Sequence, residues 1–184
     1  GEADQIRSIE TSFYGKLHAF GKWMLAPITG GISKDFDPYL GAADALEFLK
    51  ARGIEMKDRE VDDEKHYGES ITIDLKTSNG AVSVRGTLTE NHLMLSRINN
   101  FDKIYLDLSG SHLFVEYSDA AGIIGKIASL LGANSINIID IRAPQDLVQN
   151  HSLAVIKTSV PVPAALIEQI RNEVKAVKAF SFSC

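Results

Sequence analysis

Phe114-Val-Glu-Tyr-Ser-Asp-Ala-Ala-Gly-Ile-Ile-Gly-Lys-Ile-Ala-Ser-Leu-Leu-Gly-Ala-Asn-Ser-Ile-Asn-Ile-Ile139 is the stretch that decides the fold. Apolar residues alternate up to Tyr117 and then recur at helical spacing as Ile123, Ile124, Ile127, Leu130 and Leu131, with Gly132 as the expected stop. Alternation resumes from 135. A change of period from two to 3.6 and back reads as strand, helix, strand. The turn before the helix carries Tyr117, Asp119 and Gly122, and Asn137 opens the returning strand. Unpaired N–H groups at a helix start, backed by the helix dipole, favour an anionic group such as a carboxylate. Gly122 removes a side chain where a ligand would approach, Asp119 can accept from an ammonium, and Asn137 can donate and accept. A small zwitterion suits this turn. The spacing serves equally well a plainer reading, in which Asp119 caps the helix and Asn137 fills a turn.

Downstream the rhythm repeats: a strand over 151–158, a helix over 163–173 with Leu166, Ile167, Ile170 and Val174 on one face, and a strand over 175–182. Pro161 and Pro163 stand where a strand must stop and a helix begin. With a strand at 112–117, a helix at 121–132 and a strand at 135–142, this makes a βαββαβ unit of the ferredoxin-like type, about seventy residues long. His112 and His151 fall on its two central strands, where they face each other or an interface.

Upstream the pattern is different. Ile9, Thr11 and Phe13 alternate as a half-buried strand, and Pro27 with Gly30-Gly31 predicts that any helix over 23–32 is short or kinked. A helix over 41–53 places Ala42, Ala45, Leu46 and Leu49 on one face, with Gly53 as its stop. The charged stretch Lys57–Glu69 reads as a solvated edge and loop. Ile71, Ile73 and Leu75, a hairpin turn at Ser78-Asn79-Gly80, and Val82, Val84 and Leu88 follow. Runs at Leu93–Ile98 and Ile104–Leu108 complete the strand signals. The expected fold class is α+β: a sheet with two helices on one face over 5–109, then the βαββαβ domain over 110–184.

Composition narrows the function classes. The 184 residues are 45% hydrophobic and 23% charged, with a net charge of −5, which leaves no basic footprint for nucleic acid. No run is apolar for long enough to span a membrane. The lone Cys184 excludes an intrachain disulfide and a cysteine metal cluster, and a reducing cytoplasm is the natural setting. Gly1 reads as a protease scar at the start of a truncated piece. Gly122-x-x-Gly125-Lys126 is no phosphate-binding loop, and Gly30-Gly31 lacks the dinucleotide register. The five histidines show no metal-ligand spacing, and no nucleophile–base pair is defensible, so neither a catalytic residue nor a metal site is expected.

Tyr117-Ser-Asp119-Ala-Ala-Gly122, Gly125-Lys126-Ile127, Leu130-Leu131-Gly132 and Ile136-Asn137-Ile138 together resemble the ACT domain. Ala120-Ala121 stands where that family usually has Arg-Pro, which leaves the turn less rigid. Ser83-Val84-Arg85-Gly86-Thr87-Leu88, Arg97-Ile98-Asn99 and the helix end Lys50-Ala51-Arg52-Gly53-Ile54 are similar to the allosteric substrate binding domain that precedes it. In this order the two resemble the C-terminal regulatory part of the D-3-phosphoglycerate dehydrogenase family. The resemblance implies L-serine as effector, held across a domain–domain interface by Tyr117, Asp119 and Asn137, with Gly122 and Ile123 at its backbone. It implies a homodimer or tetramer through 112–184, and NAD as cofactor of catalytic domains beyond this chain. It further implies an anion site near Arg85, His92, Arg97 and Lys103, against which stands the reading of these four as surface charges on a strand edge. The β-type portion of L-serine dehydratase is a competing resemblance, opposed by the absence of cysteines for an iron–sulfur cluster. A free-standing amino-acid sensor is the remaining alternative.

Overall fold

The structure, a computed structural model, describes residues 5–59 and 65–184, so part of the charged stretch over 57–69 lies outside the described residues. The fold is mixed α+β and divides into two compact units, Gly1–His92 and Leu93–Cys184.

In the first unit β1 (Ile6–Phe13) leads through a 3-10 turn (Gly15–Phe20) into α1 (Gly21–Ile32) and α2 (Ala42–Ala51). β2 (Glu55–Asp58), β3 (Ser70–Thr77) and β4 (Ala81–Thr89) follow. The strand order is β2-β1-β3-β4, with β1 and β2 parallel and the other pairs antiparallel. The period of two separates the faces of this sheet. Ile9 and Phe13, with Ile71, Ile73 and Leu75, pack with Leu25, Ala26 and Ile28 of α1 and Ala45 and Leu49 of α2. Leu46 is 49% exposed and does not share that face, contrary to the expected stripe. Its position, one residue past Ala45, turns it about 100° away from the core.

The helix expected to be short or kinked near Pro27 is not short: α1 runs through that residue. Proline removes one helical N–H, but Leu25, Ala26, Ile28 and Thr29 are buried along the inner face, and tertiary burial outweighs local propensity. The helix also lies close to the following loop. A Cβ on Gly30 would stand 2.7 Å from that of Pro38, so this contact requires glycine. At the end of α2 the Gly53 stop is in place: Gly53 takes φ +68, its N–H reaches the Lys50 carbonyl at 3.0 Å, and Ile54 N–H reaches Leu49 at 2.9 Å.

The second face of this sheet is polar. Glu10, nearly buried, accepts from Lys76 Nζ at 2.8 Å and from Arg59, whose guanidinium also lies 3.4 Å from Asp74. Arg59 is thus an ion-pair partner and not simply part of a solvated rim. The hydrogen bonds from Lys76 and then Arg59 hold the Glu10 carboxyl at about 2. A carboxylate depressed in the fold stabilises it above its ordinary value near 4.5, and that contribution fades as pH falls toward 2. Urea unfolding from pH 6 to pH 3 is expected to show a falling midpoint for the wild type and a shallower fall for Glu10→Gln.

The second unit carries β5 (His92–Ile98), β6 (Leu106–Asp107), β7 (Ser111–Ser118), α3 (Ile123–Ala133) and β8 (Ile138–Arg142). β9 (Gln145–Asp146), β10 (His151–Thr158), α4 (Ala164–Val174) and β11 (Lys178–Ser183) complete it. The sheet order is β11-β7-β10-β8, with β9 also on β10. Leu113, Val115 and Tyr117 of β7 and Ala154 and Ile156 of β10 form one core with Ile127 and Leu131 of α3 and Leu166, Ile170 and Val174 of α4. α3 does not stop at Gly132. It ends one residue later, and Ser135 takes the left-handed conformation (φ +57) while Ile136 N–H reaches the Leu131 carbonyl at 3.0 Å.

His112 and His151 do lie on the central strands, but His112 stands opposite Lys157 and His151 opposite Ser118, at opposite ends of the ladder. They do not face each other. His112 Nε2 is 2.9 Å from the Asp107 carbonyl, and His151 Nδ1 is 3.3 Å from Glu116. Among the described residues, no helix is long and apolar enough to cross a membrane.

Candidate functional site

β7 delivers Tyr117 into the core, 3% exposed, and the chain then turns outward at Asp119. Across the sheet Tyr117 faces Ser152 on β10, and Ser152 faces Gln145 on β9. This lateral row supports the turn. Ser152 Oγ donates to one oxygen of Asp119 at 2.7 Å, and Gln145 Nε2 donates to the other at 2.8 Å. The Asp119 backbone N–H donates to the Asn150 carbonyl at 2.9 Å. Burial first, and the Asp119 charge second, push the Tyr117 phenol up.

Asp119 is therefore not the helix cap. The N-cap of α3 is Gly122, in the left-handed region at φ +86, and no side chain caps the helix. A Cβ at Gly122 would meet nothing within 4 Å, so the backbone conformation, and not crowding, requires the glycine. Gly122→Ala is expected to cost about 1 kcal/mol through that conformation alone, read as a lower urea midpoint with an unchanged slope. Ile123 turns its side chain onto the core, leaving its backbone at the mouth of the helix.

Asn137 lies elsewhere. Its N–H donates to Ser159 Oγ at 3.1 Å and its carbonyl accepts from Ser159 N–H at 2.9 Å, just past the far end of β10. Ser152 is near the start of the same strand, so at about 3.3 Å per residue the two ends are about 20 Å apart. A helix that packs antiparallel on its strand carries the chain back to where that strand began. One copy thus gathers Tyr117, Asp119, Gly122 and Ile123 at one end and holds Asn137 at the other.

Gln145 and Ser152 are the residues that the sequence reading missed. The available signal was Ser152 itself, a hydroxyl on the same inward-facing register as Ala154 and Ile156. Gln145 carried none, because a two-residue strand has no period.

The basic candidates differ in burial. Arg85, on β4, is 6% exposed, with its guanidinium 3.5 Å over the Tyr67 ring and Nε donating to Thr72 Oγ1 at 3.1 Å. It is not a surface charge on a strand edge. His92 is exposed at the start of β5, Arg97 is half-buried further along it, and Lys103 is exposed in the loop beyond with φ +59. Among the described residues, Gly30 and Gly31 lie in the last turn of α1 and not between a strand and a helix, so this pair forms no dinucleotide cradle. Among them no cluster of three histidines, cysteines or carboxylates is arranged to hold a metal ion.

No family model matches the chain. Curated proteins do. A D-3-phosphoglycerate dehydrogenase of Synechocystis sp. is 29% identical over 152 residues, 80% of this chain and 26% of that protein. Those of Bacillus subtilis and Archaeoglobus fulgidus are 25% and 24% identical over 134 and 138 residues, each 72% of this chain. The chain spans about a quarter of the length of these relatives. Among solved structures, formyltetrahydrofolate deformylase from Burkholderia mallei aligns over 41% of this chain and 28% of its own, at 14% identity and TM-score 0.36. The C-terminal domain of the MgtC protein from Mycobacterium tuberculosis aligns over 42% and 88%, at 17% identity and TM-score 0.34. Likeness of that degree carries no argument. The sequence matches relate the chain to the D-3-phosphoglycerate dehydrogenases.

Proposed function

We propose that this chain is the regulatory portion of an enzyme related to D-3-phosphoglycerate dehydrogenase, with an allosteric-substrate-binding-like domain at 5–109 and a ferredoxin-like ACT domain at 110–184. L-serine is the proposed effector. It controls NAD-dependent oxidation of 3-phosphoglycerate by catalytic domains outside this chain, in the cytoplasm. The observation that carries the reading is the separation of Asp119 from Asn137 together with the position of β8 at the edge of its sheet. A two-fold antiparallel pairing of β8 with β8 of a second copy sets Asn137 of one copy beside the Gln145 and Asp119 end of the other. The effector is then held between copies: its carboxylate at the α3 amides of one, its ammonium on Asp119 and its remaining polar group on Asn137 of the partner.

The mechanism is a population shift. Serine favours the arrangement of subunits that completes the pair of sites, and a coupling of roughly 1–3 kcal/mol between effector and catalytic sites is typical of such control. An anion site that includes Arg85 belongs to the same proposal, since a buried guanidinium beside a threonine hydroxyl suits a phosphate or carboxylate. Calorimetric titration of L-serine into the chain tests the reading, with Asp119→Ala and Asn137→Ala as controls. Heat of binding that both substitutions remove supports it. No heat at millimolar serine from a folded dimer overturns it.

A further inference from the structure

Asp119 is held from two sides by groups that carry no charge. Ser152 Oγ donates to one carboxylate oxygen at 2.7 Å and Gln145 Nε2 to the other at 2.8 Å, and no Lys, Arg or His forms an ion pair with Asp119 among the described residues. Ser152 is 4% exposed and in register with both Tyr117 and Gln145, so three adjacent strands fix the donor. Neutral donors orient a carboxylate without cancelling it. About two of its four lone-pair positions stay open.

We infer that Ser152 and Gln145 are positioning residues that present Asp119 as an anionic acceptor for an ammonium, so that the turn selects α-amino acids over the matching α-hydroxy acids. This inference rests on the effector reading given above and adds the chemical basis of its selectivity. An ammonium brings the carboxylate a full positive charge as well as a hydrogen bond, whereas a hydroxyl brings the hydrogen bond alone. A hydroxy acid also brings a net negative charge to an uncompensated one, so its binding is penalised twice. A lysine or arginine in place of Gln145 would have cancelled the charge and removed the preference.

The test titrates L-serine and L-glycerate, which differ only in amine against hydroxyl, into the full 184-residue chain, with amide NMR spectra reporting the fold. Serine is expected to bind at least about tenfold more tightly than glycerate. Ser152→Ala and Gln145→Leu each lower that ratio by about threefold or more, Ser152→Thr restores it, and Asp119→Asn brings it near one. A purely structural role for Ser152 and Gln145 weakens both ligands alike and leaves the ratio where it was. Serine binding with an unmoved ratio in both variants overturns this inference alone, as does glycerate binding as tightly as serine to the wild type. Failure of both ligands to bind the wild type overturns the effector reading and this inference with it.

Discussion

Serine binding that is lost in Asp119→Ala chains and in Asn137→Ala chains is expected to return to about a quarter of the sites when equal amounts of the two are mixed and allowed to exchange. In the proposed two-copy arrangement each substituted homodimer lacks one half of both of its sites, because Asp119 and Asn137 stand about 20 Å apart in one copy and come together there only across a pair. Random re-pairing makes half of the dimers mixed. In a mixed dimer one site combines the two substitutions and the other has neither. Calorimetry of the mixture reads this directly as a stoichiometry, with the affinity of the restored sites equal to that of the wild type. Sites assembled within one copy give no restoration at all, and that result sinks the two-copy arrangement even if serine itself binds.

The second large effect concerns the fold that aims those residues. Leu131→Ala is expected to lower the stability of the chain by about 3 kcal/mol. Leu131 is fully buried on α3 among Leu113, Val115, Ile127 and Ile170, so truncation removes apolar contact and leaves a cavity that close-packed neighbours cannot fill. Leu147→Ala makes the matched control, because Leu147 is 81% exposed and its truncation takes nothing from the core. Urea denaturation distinguishes them: the midpoint drops for Leu131→Ala with an unchanged slope and stays in place for Leu147→Ala. A shift of less than about 1 kcal/mol for Leu131→Ala contradicts the packing described for this unit.

Periodicity made the second unit legible. The stripe Ile123, Ile127 and Leu131 and the alternation through Leu113, Val115 and Tyr117 each have one consistent burial partner, so every element from β7 to β11 lies within a few residues of its expected position, and only β9 went unread. Terminal chemistry was less legible. Gly53 ends α2 as expected, yet α3 passes through Gly132 and turns at Ser135, because tertiary contacts of Leu131 and Ile136 decide where the chain must leave the helix. In α1 the same priority let buried residues on either side carry the helix across Pro27.

The candidate site was legible by residue type and not by place. Asp119 and Asn137 were singled out for what their side chains can donate and accept, although the helix read between them already carries the chain back to the start of β7. Ser152 and Gln145 escaped notice because their role is lateral. They act across strands, in a direction that a linear pattern does not contain.

Under the proposed two-copy site, the distance between Asp119 and Asn137 makes dilution a control on effector binding. If the effector needs both residues, occupancy cannot exceed the fraction of chains that have found a partner, and each ligand bound draws further chains into pairs. Apparent affinity for serine then rises with protein concentration and falls toward zero as the chain is diluted, while added serine strengthens self-association by the same factor. The dose–response of such a device reports two concentrations at once, that of the metabolite and that of the protein itself.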